Sequence, residues 1–167
     1  MINIKIKKVD ENTILPTKAH STDACFDIYA NLIDEKYNDI ILNESTGEIN
    51  SVEYKNAIKI YPGKSVCIRT GFCTEIPEGY FAPIFCRSGM GIRRHLRLCN
   101  SVGIIDSSYR GEWVVALHND GEESQIIKHG DRIAQFAILP VLDMNLEEVT
   151  ELTNTDRGEG GFGSSGR

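Results

Sequence analysis

Residues 57–85 read AIKIYPGKSVCIRTGFCTEIPEGYFAPIF, and their rhythm sets the fold class. Three short apolar segments, Ala57-Ile60, Ser65-Arg69 and Tyr80-Phe85, are divided by Pro62-Gly63 and Pro77-Glu78-Gly79. Pro presets φ and Gly tolerates positive φ, so these pairs mark turns. Segments this short fit strands better than helices. The same rhythm extends in both directions. Upstream, Ile2, Ile4 and Ile6 alternate with Asn3, Lys5 and Lys7, the period-two mark of a half-buried strand. Downstream come Leu96-Cys99, Trp113-His118 and Arg132-Leu139, with turn signals at Asn119-Asp120-Gly121 and His129-Gly130-Asp131. Many short strands with frequent turns predict an all-β sandwich, jelly roll or barrel. The best helix candidate is short, around Gly89-His95.

The chain has 167 residues, the size of one ordinary domain, with 41% hydrophobic and 25% charged residues. That composition supports a packed core and argues against global disorder. The net charge is −6, and no basic block stands out, so gripping a nucleic-acid polymer is not expected. No apolar run approaches the ~18 residues of a membrane span. The N-terminus alternates rather than forming a signal-peptide core. The five cysteines, Cys25, Cys67, Cys73, Cys86 and Cys99, form no CxxC pair and are odd in number. They read as free thiols of a reducing cytosol, mostly buried as small hydrophobes. His20, His95, His118 and His129 are scattered without metal-ligand spacing.

Two stretches depart from the strand rhythm. Residues 34–56 are polar and acidic, and Ile40-Asn43 and Glu48-Tyr54 flank Glu44-Ser-Thr-Gly47. This suits a surface hairpin inserted in a domain spanning residues 1–150. A solvated hairpin is the simpler reading; a protein partner docking there is the functional one. Residues 151–167 form a glycine-rich arm ending in DRGEGGFGSSGR. Its glycines preclude a regular element. Yet it carries Arg157, Phe162, Ser164 and Ser165, the inventory of an arm closing on an aromatic, phosphorylated ligand.

Four further patches carry chemistry-bearing residues. Arg87-Ser88-Gly89 follows an apolar strand and offers a planar fork, a hydroxyl and an unshielded amide. Two strands, roughly Leu96-Ile105 and Trp113-His118, bracket a turn with Asp106, Tyr109, Arg110 and Gly111. Asp106 suits a general base or a turn cap. Gly130-Asp131-Arg132 reads as a turn with an Asp-Arg ion pair, and Gln135 beyond it needs a partner. Asp27 sits in the otherwise apolar run Ala24-Cys-Phe-Asp-Ile-Tyr-Ala30 and must be paired or serve a cation.

In this order the patches resemble the five motifs of the trimeric dUTP pyrophosphatases, or dUTPases. The matching stretches are Ala24-Ala30, Arg87-Gly91, Gly103-Glu112, Gly130-Gln135 and Arg157-Gly166. The first departs at Cys25, where the family usually has Gly, and the 34–56 excursion is longer than the family's usual connection. The resemblance implies a jelly-roll, or β-clip, subunit with one short helix and a flexible C-terminal arm. It implies hydrolysis of dUTP to dUMP and pyrophosphate, limiting uracil in DNA and supplying dUMP for dTMP synthesis. Asp106 would activate water, and Mg2+ would bridge triphosphate oxygens with Asp27 as an outer-shell contact through water. Arg87, Ser88, Gly89 and Gln135 would hold the α- and β-phosphates. Arg157, Ser164 and Ser165 would hold the distal ones, with Phe162 and Gly163 closing on the uracil.

Asn100, Gly103, Ile104, Ile105 and Val114 would read the uracil edge, and Tyr109 would sit under the deoxyribose. Each site would be shared by three subunits of a homotrimer. Two alternatives stay open. One is the homologous dCTP deaminases, bifunctional ones included, although these more often carry Pro, Phe and Glu where this chain has Asp106-Ser-Ser-Tyr-Arg-Gly111. The other is a regulatory, partner-binding protein that uses the fold without turnover.

Overall fold

The structure is a computed structural model that describes residues 2–42, 49–161 and 164; for 36–42 and 49–52 only the backbone is described. Fourteen strands run through the described residues. The first seven are β1 (Lys5–Lys8), β2 (Phe26–Tyr29), β3 (Lys36–Leu42), β4 (Ile49–Lys55), β5 (Ala57–Ile60), β6 (Ser65–Arg69) and β7 (Phe72–Glu75). Next come β8 (Tyr80–Phe85), a π-helical turn at Gly89–Arg93, β9 (Leu96–Leu98), β10 (Gly103–Ile105) and β11 (Val114–Asn119). Then β12 (Gln125–Lys128), β13 (Arg132–Phe136) and β14 (Leu139–Pro140) complete the order. The all-β expectation and the one short helical turn both hold. No helix among the described residues is long and apolar enough to cross a membrane.

The strands pair antiparallel in small sheets. The largest has the order β10-β8-β13-β2, with β14 also on β8; a second has the order β6-β11-β9. Short pairs β1-β7, β5-β12 and β3-β4 complete the set. The core lies between them, where alternate residues of each strand point inward. Val115 and Leu117 of β11 are buried, whereas Val114 between the sheets' inner faces and solvent is exposed. Trp113 is fully buried between Phe72, at 5.1 Å, and Phe136, at 4.9 Å between ring centroids. Its indole N–H donates to Thr74 Oγ1 at 3.1 Å, so the one polar atom of the ring is satisfied.

Turn chemistry explains the strand ends. Asn119 is fully buried: its amide donates to the Ile60 and Glu123 carbonyls and its Oδ1 accepts from Gly121 N at 2.9 Å. Asp131 Oδ2 accepts from Lys128 N at 3.0 Å, and Gly130 takes a φ of +81°. The expected strand over 96–105 is instead two strands in different sheets. Ser101, at φ +61°, turns the chain between β9 and β10, and Val102 N donates to Asn100 O. The hairpin's arms, β3 and β4, pair from Lys36↔Lys55 to Leu42↔Ile49, so the first arm begins earlier than the expected Ile40 and the second is shifted by one residue; its tip, 43–48, lies outside the described residues.

Two apolar features face outward. Ile2 and Ile6 are exposed and Ile4 is half-buried, so the N-terminal strand is less covered than its alternation implies. With Leu15, Phe26, Phe136 and Ile138 they line an open groove of about 460 Å³. After β14, residues 141–155 form no regular element, and Leu142, Met144, Leu146 and Leu152 are each more than three-quarters exposed. The cysteines also differ from expectation. All five are free, but none is fully buried, and Cys67 and Cys99 are exposed on either side of Ala116 in the β6-β11-β9 sheet.

Gly71 joins β6 to β7 with φ +78°, and a Cβ there would overlap the side chains of Asn31 and Thr13. Gly71→Ala should therefore destabilise the fold by about 2 kcal/mol or more, read by urea denaturation.

Candidate active site

The site begins where β8 ends. Past Phe85 the chain turns through Cys86, Arg87 and Ser88 into the π-helical turn. Met90 N and Gly91 N both donate to Arg87 O, at 3.0 and 3.1 Å, and buried Met90 anchors the turn in the core. The Cys86 thiol, pushed up in pKa by burial, donates to Leu96 O at 3.3 Å. Ser88 is exposed and makes no capping bond with its side chain, so its hydroxyl is free for a ligand. Arg87, Ser88, Gly89, Arg93, Arg94 and Arg132 line an open trench of about 450 Å³. Arg94 is tied down by Gln125 Oε1, at 3.0 Å, and Ile126 O, at 2.5 Å, which fixes the turn to β12.

Register brings the next groups alongside. Gln135 of β13 stands opposite Asp27 of β2 on one side and Phe85 of β8 on the other. Its Nε2 donates to Cys86 O at 3.3 Å, the partner the sequence demanded. Asp27, 9% exposed, accepts from Arg87 Nε at 2.7 Å through Oδ1 and from Arg132 Nη1 at 3.2 Å through Oδ2. Sequence reasoning placed Arg132 in a local ion pair with Asp131; instead it reaches across to Asp27. A bulge between Arg132 and Ala134 shifts the register there, and nothing in the sequence marks it. Cys25, Asp27, Arg87, Arg132 and Gln135 thus share one pocket of about 310 Å³.

The remaining groups lie elsewhere. β10 pairs with β8 so that Gly103 meets Ile84 and Ile105 meets Ala82. A Cβ on Gly103 would come within 3.2 Å of Ile84 Cβ, so this close pairing favours glycine. The register carries Asp106, next after Ile105, away from Arg87. From Ala82 to Phe85 alone is roughly 10 Å at about 3.3 Å per residue. Asp106 is exposed, and its carboxylate makes no hydrogen bond among the described residues; the turn is closed by its backbone oxygen, which accepts from Tyr109 N at 3.1 Å. Tyr109, Ile104 and Val114 are about half exposed, Asn100 is exposed and Ile105 is half-buried.

The hydrogen bonds of the arm's described residues stay within the arm. Arg157 Nε donates to Gly160 O at 2.8 Å, Gly160 N donates back to Arg157 O, and Ser164 N donates to Gly161 O. Phe162, Gly163 and Ser165 lie outside the described residues.

Comparison with known proteins settles what this assembly of motifs belongs to. The dUTPase family model matches residues 51–166. The deoxyuridine 5'-triphosphate nucleotidohydrolase of Clostridioides difficile is 35% identical over 99% of both chains. That of Clostridium acetobutylicum is 38% identical over 99% of this chain and 98% of its own. The chain belongs to the dUTPase family. Among solved structures, a mutant of the Staphylococcus bacteriophage 80alpha dUTPase with dUpNHpp superposes with a TM-score of 0.78 at 26% identity, covering 99% of each chain. A mutant DUTPase from phage phi11 of S. aureus, whose structure shows the coordination of a structural Mg(II) ion, shares the fold: TM-score 0.68, 22% identity, 89% of this chain and 97% of that one.

Two points of family chemistry are decided locally. Cys25, which replaces the usual dUTPase Gly, is not among the residues of positive φ, so its side chain adds no left-handed strain. Burial is the main cause that raises its thiol pKa, Lys18 opposes this, and Asp27 adds to it. Among the described residues no group of three His, Cys, Asp or Glu could hold a metal. Asp27 and Asp23 line the smaller pocket and Asp131 lines the trench; each Asp27 oxygen already accepts from an arginine, Asp23 Oδ2 accepts from His20 N, and Asp131 Oδ2 accepts from Lys128 N. This donor set fits only a Mg2+ that keeps its waters and is held chiefly by phosphates.

Asp27→Ala would leave Arg87 and Arg132 without their shared acceptor. We expect a loss of about 1–3 kcal/mol in urea denaturation, larger than for Arg132→Ala, because Arg132 is the more exposed partner.

Proposed function

We propose that this chain hydrolyses dUTP to dUMP and pyrophosphate, as a homotrimer with shared sites. The observation that carries this reading is the separation of two half-sites on one chain. Arg87 and Arg132 line both the trench of Ser88 and Gly89 and the pocket of Gln135, while the β8-β10 register holds Asp106 and Tyr109 on a different, exposed turn. A second copy brings the two together. The exposed apolar residues after β14 and the groove lined by Ile2, Ile4 and Ile6 support association.

In this reading Arg87, Ser88, Gly89 and Gln135 hold the α- and β-phosphates of a triphosphate. Arg forks match phosphate oxygens, and Ser88 adds its hydroxyl. Asp106 takes a proton from water as its oxygen attacks the α-phosphorus in line. The bond from that phosphorus to the bridging oxygen breaks, and pyrophosphate leaves. Asp27 would contact a bound Mg2+ through water, and that ion would supply charge neutralisation on the triphosphate.

Tyr109 supports the deoxyribose and leaves no space for a 2′-OH. Backbone groups of Gly103-Ile105, the Asn100 amide and Val114 read the uracil edge. Cytosine presents a donor there and leaves polar groups unpaired. Arg157, Ser164 and Ser165 bind the distal phosphates, and Phe162 stacks on the base as the arm closes with Gly163. Such an enzyme lowers dUTP and so limits uracil in DNA. The five free thiols suit a reducing compartment.

Asp106→Asn should retain dUTP binding, seen by calorimetry, and lose at least about 10³-fold in kcat. Deleting residues 156–167 should leave the strands intact by circular dichroism with little activity. If the sites are shared, unfolding and refolding these two inactive variants together restores pyrophosphate release from dUTP, because some mixed trimers combine an intact Asp106 with an intact arm. Mixing without recovery overturns the shared site; ammonia release from dCTP overturns the substrate.

A further inference from the structure

We propose that Glu112 is a positioning residue that fixes the Tyr109 ring, and so helps set discrimination between deoxyribose and ribose; this rests on the sugar role of Tyr109 proposed above. Glu112 is the last residue of the turn that carries Asp106 and Tyr109, and its side chain is 17% exposed. Its carboxylate is fully used. Oε2 accepts from Arg69 Nε at 2.9 Å and Nη2 at 2.8 Å, and Oε1 accepts from Gly71 N at 2.8 Å. Two guanidinium N–H groups on one carboxylate oxygen and a backbone amide on the other hold the carboxylate from both sides. The backbone beside it is stitched to the same segment: Trp113 N donates to Phe72 O, and Trp113 O accepts from Thr70 N and Oγ1. The end of the turn is therefore anchored to a rigid junction between β6 and β7.

Tyr109 takes its position from that anchor. Its hydroxyl donates to the backbone oxygen of Glu112 at 3.1 Å. Its ring lies against Gly111, where a Cβ would overlap the ring and hydroxyl. The residue is 45% exposed. The ring is thus held at its hydroxyl end by an atom whose place depends on the Glu112 carboxylate. Asp106 stands six residues away, and its carboxylate has no bond to Glu112. Loosening Glu112 should therefore move the sugar platform more than the base.

The test compares kcat and KM for dUTP and UTP in the full-length protein and in Glu112→Ala, Glu112→Gln and Tyr109→Phe. In Glu112→Ala the ratio of kcat/KM for dUTP over UTP should fall roughly tenfold, through KM, with kcat on dUTP within about threefold. Glu112→Gln keeps an oxygen for Gly71 N and should retain more than half of the discrimination lost in Glu112→Ala. Tyr109→Phe removes the same hydroxyl bond, so adding Glu112→Ala to it should lower the ratio by less than in the wild-type background. A lowered melting temperature with an unchanged dUTP/UTP ratio in both Glu112 variants overturns the positioning role and leaves the activity assignment standing. Wild-type protein that fails to hydrolyse dUTP overturns the assignment itself.

Discussion

One carboxylate organises the basic side of this molecule. Asp27, the second residue of β2, is almost out of solvent and takes a guanidinium on each oxygen, Arg87 from the turn after β8 and Arg132 from the start of β13. A lone carboxylate there would be costly to bury, and two neighbouring arginines would repel each other. Together they form a charge-assisted cluster that joins three segments distant in sequence. Arg87 keeps its Nε on Asp27 and also lines the trench. A net-acidic chain thus presents a local basic cleft, because the potential a ligand meets depends on nearby charges rather than the total.

The second constraint is register. A strand pair has no freedom to slide without turning its faces inside out. Pairing Gly103 with Ile84 therefore decides that Asp106 and Arg87 diverge. Under the proposed function, each chain would carry complementary halves of a site, which would give association a chemical purpose beyond burying apolar surface.

Much of this was legible in the sequence, for definable reasons. Strands bounded by Pro-Gly or Pro-Glu-Gly, such as Ala57–Ile60, Ser65–Arg69 and Tyr80–Phe85, fall where the punctuation puts them. Phe72–Glu75 and Gln125–Lys128 did not announce themselves, because their apolar residues, Phe72 and Cys73, and Ile126 and Ile127, are adjacent rather than alternating. The break between β9 and β10 depends on Ser101 adopting positive φ, an uncommon choice for Ser. Motif order pointed to Arg87, Ser88, Gly89, Asp27 and Gln135 as neighbours. The partner of Arg132 was hidden because a bulge redirects it, and bulges leave no composition signal. The clamp made by Glu112 was hidden too, since its partners, Arg69 and Gly71, come from more than forty residues upstream.

The stretch after β14 has a physical consequence of its own. Leu142, Met144, Leu146 and Leu152 stand in water on a backbone with no regular partner. At about 25 cal/mol per Å² of apolar surface, covering them against sister chains contributes free energy that a solitary chain cannot collect. For a chain that associates through this stretch, stability would be a property of the solution as much as of the fold: dilution would lower it, and the midpoint temperature would rise with protein concentration.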